Sequence, residues 1–154
     1  MLRNVIEGEN ITRLYKVSTD THRGSVVVKN LTTESADKAD SVGVETYLLD
    51  FDFQPTGYQS DMEISAYTDE ADIVPAGTLG ILIKPAVGTV WATDQIDITG
   101  LAKGDYLMAG TTTAVGKFIK ATTGKSTVYK YVGAYDDGGH TLQAFEIVEP
   151  KTIA

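Results

Sequence analysis

Short runs of β-prone residues, separated by turns rich in glycine and aspartate, recur along most of the chain. Thr, Val, Ile and Tyr are abundant in these runs, and they favour the pleated, half-buried surface of a sheet. Many short strands at this spacing predict an all-β fold, either a small β-barrel or a β-sandwich. The predicted strands are Ile11–Val17, Ser25–Lys29, Val44–Phe53, Met62–Tyr67, Leu79–Lys84, Thr89–Ala92, Gln95–Ile98, Tyr106–Ala109, Lys117–Ala121, Thr127–Val132 and Thr141–Val148.

One segment, Thr33–Asp40, has weak helical features. Thr32 or Thr33 is a suitable N-cap residue, and Glu34 would lie in the first turn. The segment has almost no apolar face that would anchor a helix to a core. A turn or two of helix and a polar loop over residues 31–43 are therefore both consistent with the sequence.

The chain of 154 residues has the length of one ordinary domain. Residues 1–24 carry scattered apolar side chains without hairpin turns, which predicts an extended N-terminal attachment arm. Residues 25–154 form the predicted β-rich domain, with a subdomain boundary near residue 100. The alternative is that Ile11–Val17 pairs within the domain.

Composition excludes several classes of site. The absence of cysteine excludes a disulfide framework, a thiolate zinc site and a cysteine nucleophile, and it fits folding in a reducing cytoplasm. The net charge is −8 with no basic patch, which argues against nucleic-acid binding. The longest apolar stretch, Leu79–Val90, is interrupted by Lys84 and Pro85, so we expect no membrane span. The N-terminal residues lack the apolar core of a signal peptide.

Gly124-Lys125-Ser126-Thr127 is similar to the end of a phosphate-binding loop. The complete motif needs a glycine where Ile119 stands, and it needs a following helix. Residues 127–132 have the pattern of a strand instead. The sequence therefore predicts a hairpin turn rather than a phosphate site.

Asp136-Asp137-Gly138-Gly139-His140 combines ligand types that metals accept. Asp-Gly and Gly-Gly between two apolar runs are also a strong hairpin signal, because tight turns need residues that tolerate positive φ. We expect the turn, with Gly138 or Gly139 at positive φ, and no metal.

Other carboxylates and the two histidines form no recognisable catalytic motif. Asp50 and Asp52 would share one face of a strand, where water rather than a reacting group is the expected neighbour. The acidic run 69–72 lacks the ligand spacing of a calcium loop. His22 and His140 have no nucleophile motif to accompany them. We therefore predict a non-enzymatic protein with no catalytic, cofactor-binding or metal-binding residues.

Trp91 and the tyrosines offer two interpretations. Aromatic residues in strands usually anchor a core or an interface. The alternative is that Trp91 stacks on a sugar, in which case the chain would be a carbohydrate-binding module.

The last third of the chain has a recurrent order of turns and strands. It resembles the small β-barrel modules of capsid decoration (cement) and other accessory head proteins of tailed bacteriophages. The resemblance covers residues 77–150. The residues that carry it are Gly104-Asp105 before an apolar run, Gly116-Lys117 before Phe118-Ile119-Lys120-Ala121, Val132-Gly133, and Thr141-Leu142 before Phe145.

The resemblance implies a structural protein of the virion that binds and stabilises the capsid surface. Its expected partner is the major capsid protein, and such proteins are often homo-oligomers on the shell. The alternative is another β-rich binding module, either carbohydrate-binding or a tail-associated adaptor.

Overall fold

The structure, a computed structural model, describes residues 1–52 and 72–154. The regular secondary structure of the described residues is almost entirely β-strand, which confirms the predicted all-β class; a short 3-10 helix spans Thr112–Ala114. The strands are β1 Leu2–Ile6, β2 Ile11–Val17, β3 Thr21–His22, β4 Val26–Asn30, β5 Ser35–Lys38, β6 Tyr47–Asp50, β7 Ile73–Val74, β8 Leu79–Lys84, β9 Val90–Thr93, β10 Tyr106–Ala109, β11 Phe118–Lys120, β12 Ser126–Asp137 and β13 His140–Thr152.

Five strands close into a small barrel in the order β2-β5-β4-β6-β8. All neighbours in it are antiparallel except β2 and β5, which pair in parallel. Alternate side chains fill the barrel, because successive residues of a strand point to opposite faces. The barrel strands contribute Val17, Val27, Ala36, Leu49 and Leu82 to this buried cluster, and Val74 of β7 packs with them.

A six-stranded sheet of order β1-β9-β13-β12-β10-β11 stands beside the barrel, and its described neighbours pair antiparallel. The long hairpin β12–β13 runs through its middle. A separate two-stranded sheet joins β3 to β7.

Barrel and sheet bury one common apolar cluster. The barrel contributes Val26, Leu48 and Ile83, and the sheet contributes an aromatic trio. In that trio, Phe118 lies 4.8 Å from Tyr129 and 4.9 Å from Phe145, measured between ring centroids. All three side chains are fully buried. Such edge and tilted contacts between rings add to the free energy that their burial contributes.

Several predicted strands are confirmed. Ile11–Val17, Leu79–Lys84 and Tyr106–Ala109 have the predicted bounds. Gln95–Ile98 is wrong as a strand, since Ile96 makes only an isolated bridge to Phe118. Met62–Tyr67 lies outside the described residues.

The segment Thr33–Asp40 contains a strand rather than the predicted helix or polar loop. Its central residues form β5, which pairs with β4 on one side and β2 on the other. Asn30 makes the turn into it, because its Oδ1 accepts hydrogen bonds from the backbone N–H groups of Thr32 and Thr33. The strand has a polar sequence because only Ser35 and Ala36 of it are buried.

Residues 1–24 do not extend from the body as the predicted separate arm. They supply β1 to an edge of the six-stranded sheet and β2 to the closed barrel. Met1 and Leu2 are buried, each with 4% of its surface exposed. The absence of a local hairpin misled the prediction, since the partners of these strands lie near residues 79–93.

The predicted subdomain boundary near residue 100 does not separate the sheets. β9 precedes Gly100 and β13 follows it, yet Trp91 of β9 pairs with Phe145 of β13. The strands of the barrel all precede β9, and the strands of the six-stranded sheet are β9 to β13 together with β1.

The predicted hairpin at Gly138 and Gly139 is confirmed. Asp137 pairs with His140, and the two glycines between them have φ of 62° and 100°. Positive φ at both central residues is the conformation that two-residue hairpins prefer.

We expect Gly138→Val and Gly139→Val each to lower the free energy of unfolding by about 1–2 kcal/mol, because a β-branched residue tolerates positive φ poorly. A Cβ atom added at either glycine would have no other atom within 4 Å, so the cost is conformational rather than a clash with neighbours. Chemical denaturation measures it. Thr141→Val, in the adjoining strand, is the control and should change the value by less than about 0.5 kcal/mol. Unchanged stability in both glycine variants would contradict the account.

Candidate functional site

The Gly124 segment is a tight turn between β11 and β12. Gly124 has a φ of 81°, and the N–H of Lys125 donates to the carbonyl of Thr122 at 3.2 Å. A strand follows, as predicted, so no helix N-terminus is present there to hold a phosphate. The turn is not a hairpin, since β10 lies between β11 and β12.

The carboxylates of the hairpin tip have structural partners. Asp136 Oδ1 accepts a hydrogen bond from the N–H of Gly139 at 2.9 Å, which closes the turn. Asp137 forms an ion pair with Arg3 of the edge strand β1 at 2.5 Å. Both carboxylates of the hairpin tip therefore have partners within the protein.

Asp50 and Asp52 are not a catalytic pair in this arrangement. Asp50, the last residue of β6, accepts a hydrogen bond from Arg23 Nε at 2.8 Å, whereas Asp52 is exposed beyond the strand. Both contacts of the Arg23 guanidinium reach the same carboxylate oxygen. The arrangement ties the loop after β3 to β6.

Asp72 belongs to another ionic group. Its buried carboxylate pairs with the Met1 amine, and its Oδ2 lies 3.4 Å from His22 Nδ1. Asp94 approaches the same amine at 2.9 Å. The remaining residues of the predicted acidic cluster, 69–71, lie outside the described residues. Within residues 1–52 and 72–154, no three His, Asp or Glu side chains gather into a group that could hold a metal ion.

Trp91 lies in the core. Only 5% of its surface is exposed, and its Nε1–H donates to Thr89 Oγ1 at 3.1 Å. A sugar cannot stack on a ring that protein atoms already cover. Of the two interpretations that the sequence left open for this residue, the structure favours the core anchor.

Two lysines and two tyrosines meet at one end of the barrel; we call them the lysine–tyrosine cluster (Tyr15, Lys29, Tyr47 and Lys84). Lys29 Nζ lies 4.5 Å from the centroid of the Tyr47 ring and 5.1 Å from that of Tyr15. Lys84 Nζ lies 5.3 Å from the same Tyr47 ring. Each contact is a cation–π interaction, worth about 0.5–1 kcal/mol at a solvent-accessible position.

The register of the barrel brings these residues together. Lys29 is near the end of β4, Tyr47 begins β6 and Lys84 ends β8. Antiparallel pairing places the end of one strand beside the start of its neighbour, so all three reach the same mouth. Tyr15, from β2, completes the rim.

An apolar groove adjoins this mouth and follows the seam between barrel and sheet. Its volume is about 480 Å³. Tyr129 lies at the groove, and its hydroxyl is hydrogen-bonded to Thr46 Oγ1 at 2.6 Å. Its lining is Val44, Glu45, Thr46, Lys84, Pro85, Val87, Ser126, Val128, Tyr129, Ile147, Val148 and Pro150.

A second depression, of about 510 Å³, shares Val44, Glu45 and Lys84 with the apolar groove and also contains Lys29 and Tyr47. Groove and lysine–tyrosine cluster therefore form one continuous surface.

Three exposed leucines surround a further depression on the outside of the barrel, and we call them the leucine patch (Leu14, Leu31 and Leu79). They are 63%, 78% and 52% exposed, respectively. The depression measures about 450 Å³ and includes Tyr15. Clustered exposed apolar side chains mark surfaces that bind other proteins.

These surfaces were not recognised from the sequence. Leu14, Leu31 and Leu79 lie in or next to three different strands, and their proximity depends on barrel closure. Comparison of the chain with protein-family models, curated proteins and solved structures finds no match. In the part of the chain that the structure describes, no helix is long and apolar enough to span a bilayer.

The buried hydroxyl of Tyr129 yields a pH prediction. Burial raises the pKa of Tyr129 from 10.0 to about 12, and the hydrogen bond with Thr46 offsets part of this effect. The folded state then holds the proton more tightly than the unfolded state. The free energy of unfolding should therefore fall by about 1.4 kcal/mol per pH unit as pH rises from about 10 towards 12.

Tyr129→Phe isolates this contribution, since the other tyrosines and the lysines titrate in both proteins. Denaturant unfolding of the two proteins between about pH 9 and 11 gives the measurement. The difference between the free energies of unfolding of the wild type and Tyr129→Phe, in favour of the wild type, should become smaller as pH rises. A gap that stays constant across this range would contradict the assigned cause.

Proposed function

We propose that the chain is a non-enzymatic structural protein of a tailed-bacteriophage virion, and that it binds and stabilises the capsid surface. The proposed partner is the major capsid protein, with the chain assembling as a homo-oligomer on the outer shell after synthesis in the host cytoplasm. The proposal involves neither nucleic acid nor membrane.

The observation that carries the proposal is the leucine patch. Covering three large, mostly exposed leucines removes apolar surface from water, which contributes about 25 cal/mol per Å² buried. Its position on a closed barrel adds a second argument. Closed barrels have no free strand edge, so the patch is presented on a rigid surface that loses little conformational entropy on binding.

The resemblance to decoration proteins over residues 77–150 supports the same proposal. The glycines that carry it, Gly104, Gly116 and Gly133, all have positive φ. They occupy positions where the chain bends or twists in a way that a side chain would resist.

The alternative of a carbohydrate-binding or tail-associated adaptor module stays a prediction. For sugar binding it loses its main candidate residue, because Trp91 is buried. A tail-associated adaptor would use the same leucine patch on a different partner. Binding assays with tail components, run beside those with capsids, distinguish the two.

We expect Leu31→Asp to abolish or strongly weaken binding to empty capsid shells, by about tenfold or more, because it places an unpaired charge in the apolar contact. Co-sedimentation of the purified protein with shells measures this. Leu31 is 78% exposed, so the variant should fold normally.

The matched control is Ile98→Asp, which adds the same charge at another exposed apolar residue, 57% exposed and outside the leucine patch. It should bind shells like the wild type. No binding of the wild-type protein to shells would overturn the capsid proposal. Equal binding by all three proteins would overturn the role of the leucine patch.

A further inference from the structure

We propose that the lysine–tyrosine cluster and the apolar groove together bind an extended, acidic peptide segment of a partner protein. Carboxylates of the segment would pair with Lys29 and Lys84, and a neighbouring apolar side chain would enter the groove. This inference goes beyond capsid binding, since it holds whichever protein supplies the segment.

The first argument is the unbalanced positive charge. The chain as a whole has a net charge of −8, yet two ammonium groups contact one tyrosine ring. Across the described residues, neither lysine forms an ion pair. Like charges that share one ring repel each other, and the ring offsets only part of that repulsion. A bound anion would remove it.

The second argument concerns the hydrogen-bonding capacity of the lysines. An ammonium group has three donors. The only hydrogen bond of Lys84 Nζ within the described residues reaches the carbonyl of Thr46 at a long 3.4 Å. Donors therefore remain available on a cation that is half-buried beside an apolar wall. Hydrogen bonds from ammonium to carboxylate are shorter and stronger than those between neutral groups.

The third argument selects a peptide rather than a free ion. Lys84 lines both the apolar groove and the depression that holds Lys29, so anionic and apolar parts of one ligand can be bound side by side. A simple anion would leave the groove empty.

Glu45 places a negative charge in the lining of the proposed site. It lines both depressions and is exposed, without an ion pair to either lysine. Its negative charge near the mouth lowers the affinity of the site for a carboxylate of the ligand. Removing that charge should therefore strengthen binding.

The test is a two-dimensional NMR titration of the isotope-labelled full chain. The first probe is the capped peptide acetyl-Val-Glu-Val-Glu-Val-amide, and the second is the same peptide with Gln in place of Glu. The acidic peptide should shift the amide signals of Val44, Lys84 and Val128, and should bind about tenfold more tightly than the Gln peptide. Its affinity should fall as salt is added.

Lys29→Gln and Lys84→Gln should each weaken binding of the acidic peptide by about tenfold. Lys84→Arg should retain most of the affinity, and Glu45→Gln should increase it. Lys103→Gln, which removes one exposed positive charge away from the groove, is the matched control and should bind like the wild type. The same spectra report whether each variant is folded.

Equal binding of the two peptides, or of the lysine variants and wild type, would overturn the proposal. So would lysine-dependent binding of decanoate, a fatty acid, without binding of the acidic peptide, because that outcome would assign the site to a lipid anion. Shell binding by the Lys84→Gln variant is measured separately, because Lys84 does not line the leucine-patch depression, whereas Lys29 contacts Tyr15, which does. It should match the wild type if capsid attachment depends on the leucine patch alone, so failure of one proposal is distinguishable from failure of the other.

Discussion

The shared apolar core between barrel and six-stranded sheet is the interaction on which the rest of the structure depends. Phe118, Tyr129 and Phe145 lie ring against ring on the sheet side, and barrel residues such as Leu48 and Ile83 pack into the same cluster. A five-stranded barrel of this size has a small interior of its own. Burial against the sheet supplies the additional apolar area that a domain of this length needs for stability.

That common core also creates the surfaces with which the protein would bind others. The apolar groove exists because the barrel and the sheet meet along a seam, and Tyr129 belongs to both the core and the groove. The hydrogen bond between Tyr129 and Thr46 joins β12 to the residues just before β6. The lysine–tyrosine cluster adjoins the same seam, since Lys84 lines the groove. Because the strands already hold these groups in position, binding a partner should cost little conformational entropy.

Local signals in the sequence were sufficient for the fold class and for much of the strand placement. The β-prone runs Ile11–Val17 and Leu79–Lys84 predicted β2 and β8 with their observed bounds, and the Gly138-Gly139 pair predicted the hairpin. Ser35–Lys38 was missed because its pairing with β4 and β2 is stabilised by the barrel rather than by its own polar sequence. β1 was missed, and residues 1–24 were taken for a separate arm, because the partners of β1 and β2 are distant along the chain and tertiary pairing outweighs local turn chemistry. The proposed binding surfaces were not predictable for the same reason: Lys29 and Lys84 are 55 positions apart, and only barrel closure brings both to Tyr47.

Amide hydrogen exchange in a Phe145→Leu variant tests most directly whether barrel and sheet form one cooperative unit. The substitution weakens the shared core at a side chain that belongs to the sheet. The account predicts that the slowly exchanging amides of Val27 and Leu82 in the barrel lose as much protection as those of Tyr129 and Ile147 in the sheet. Loss of protection confined to the sheet, with the barrel amides exchanging as in the wild type, would contradict it.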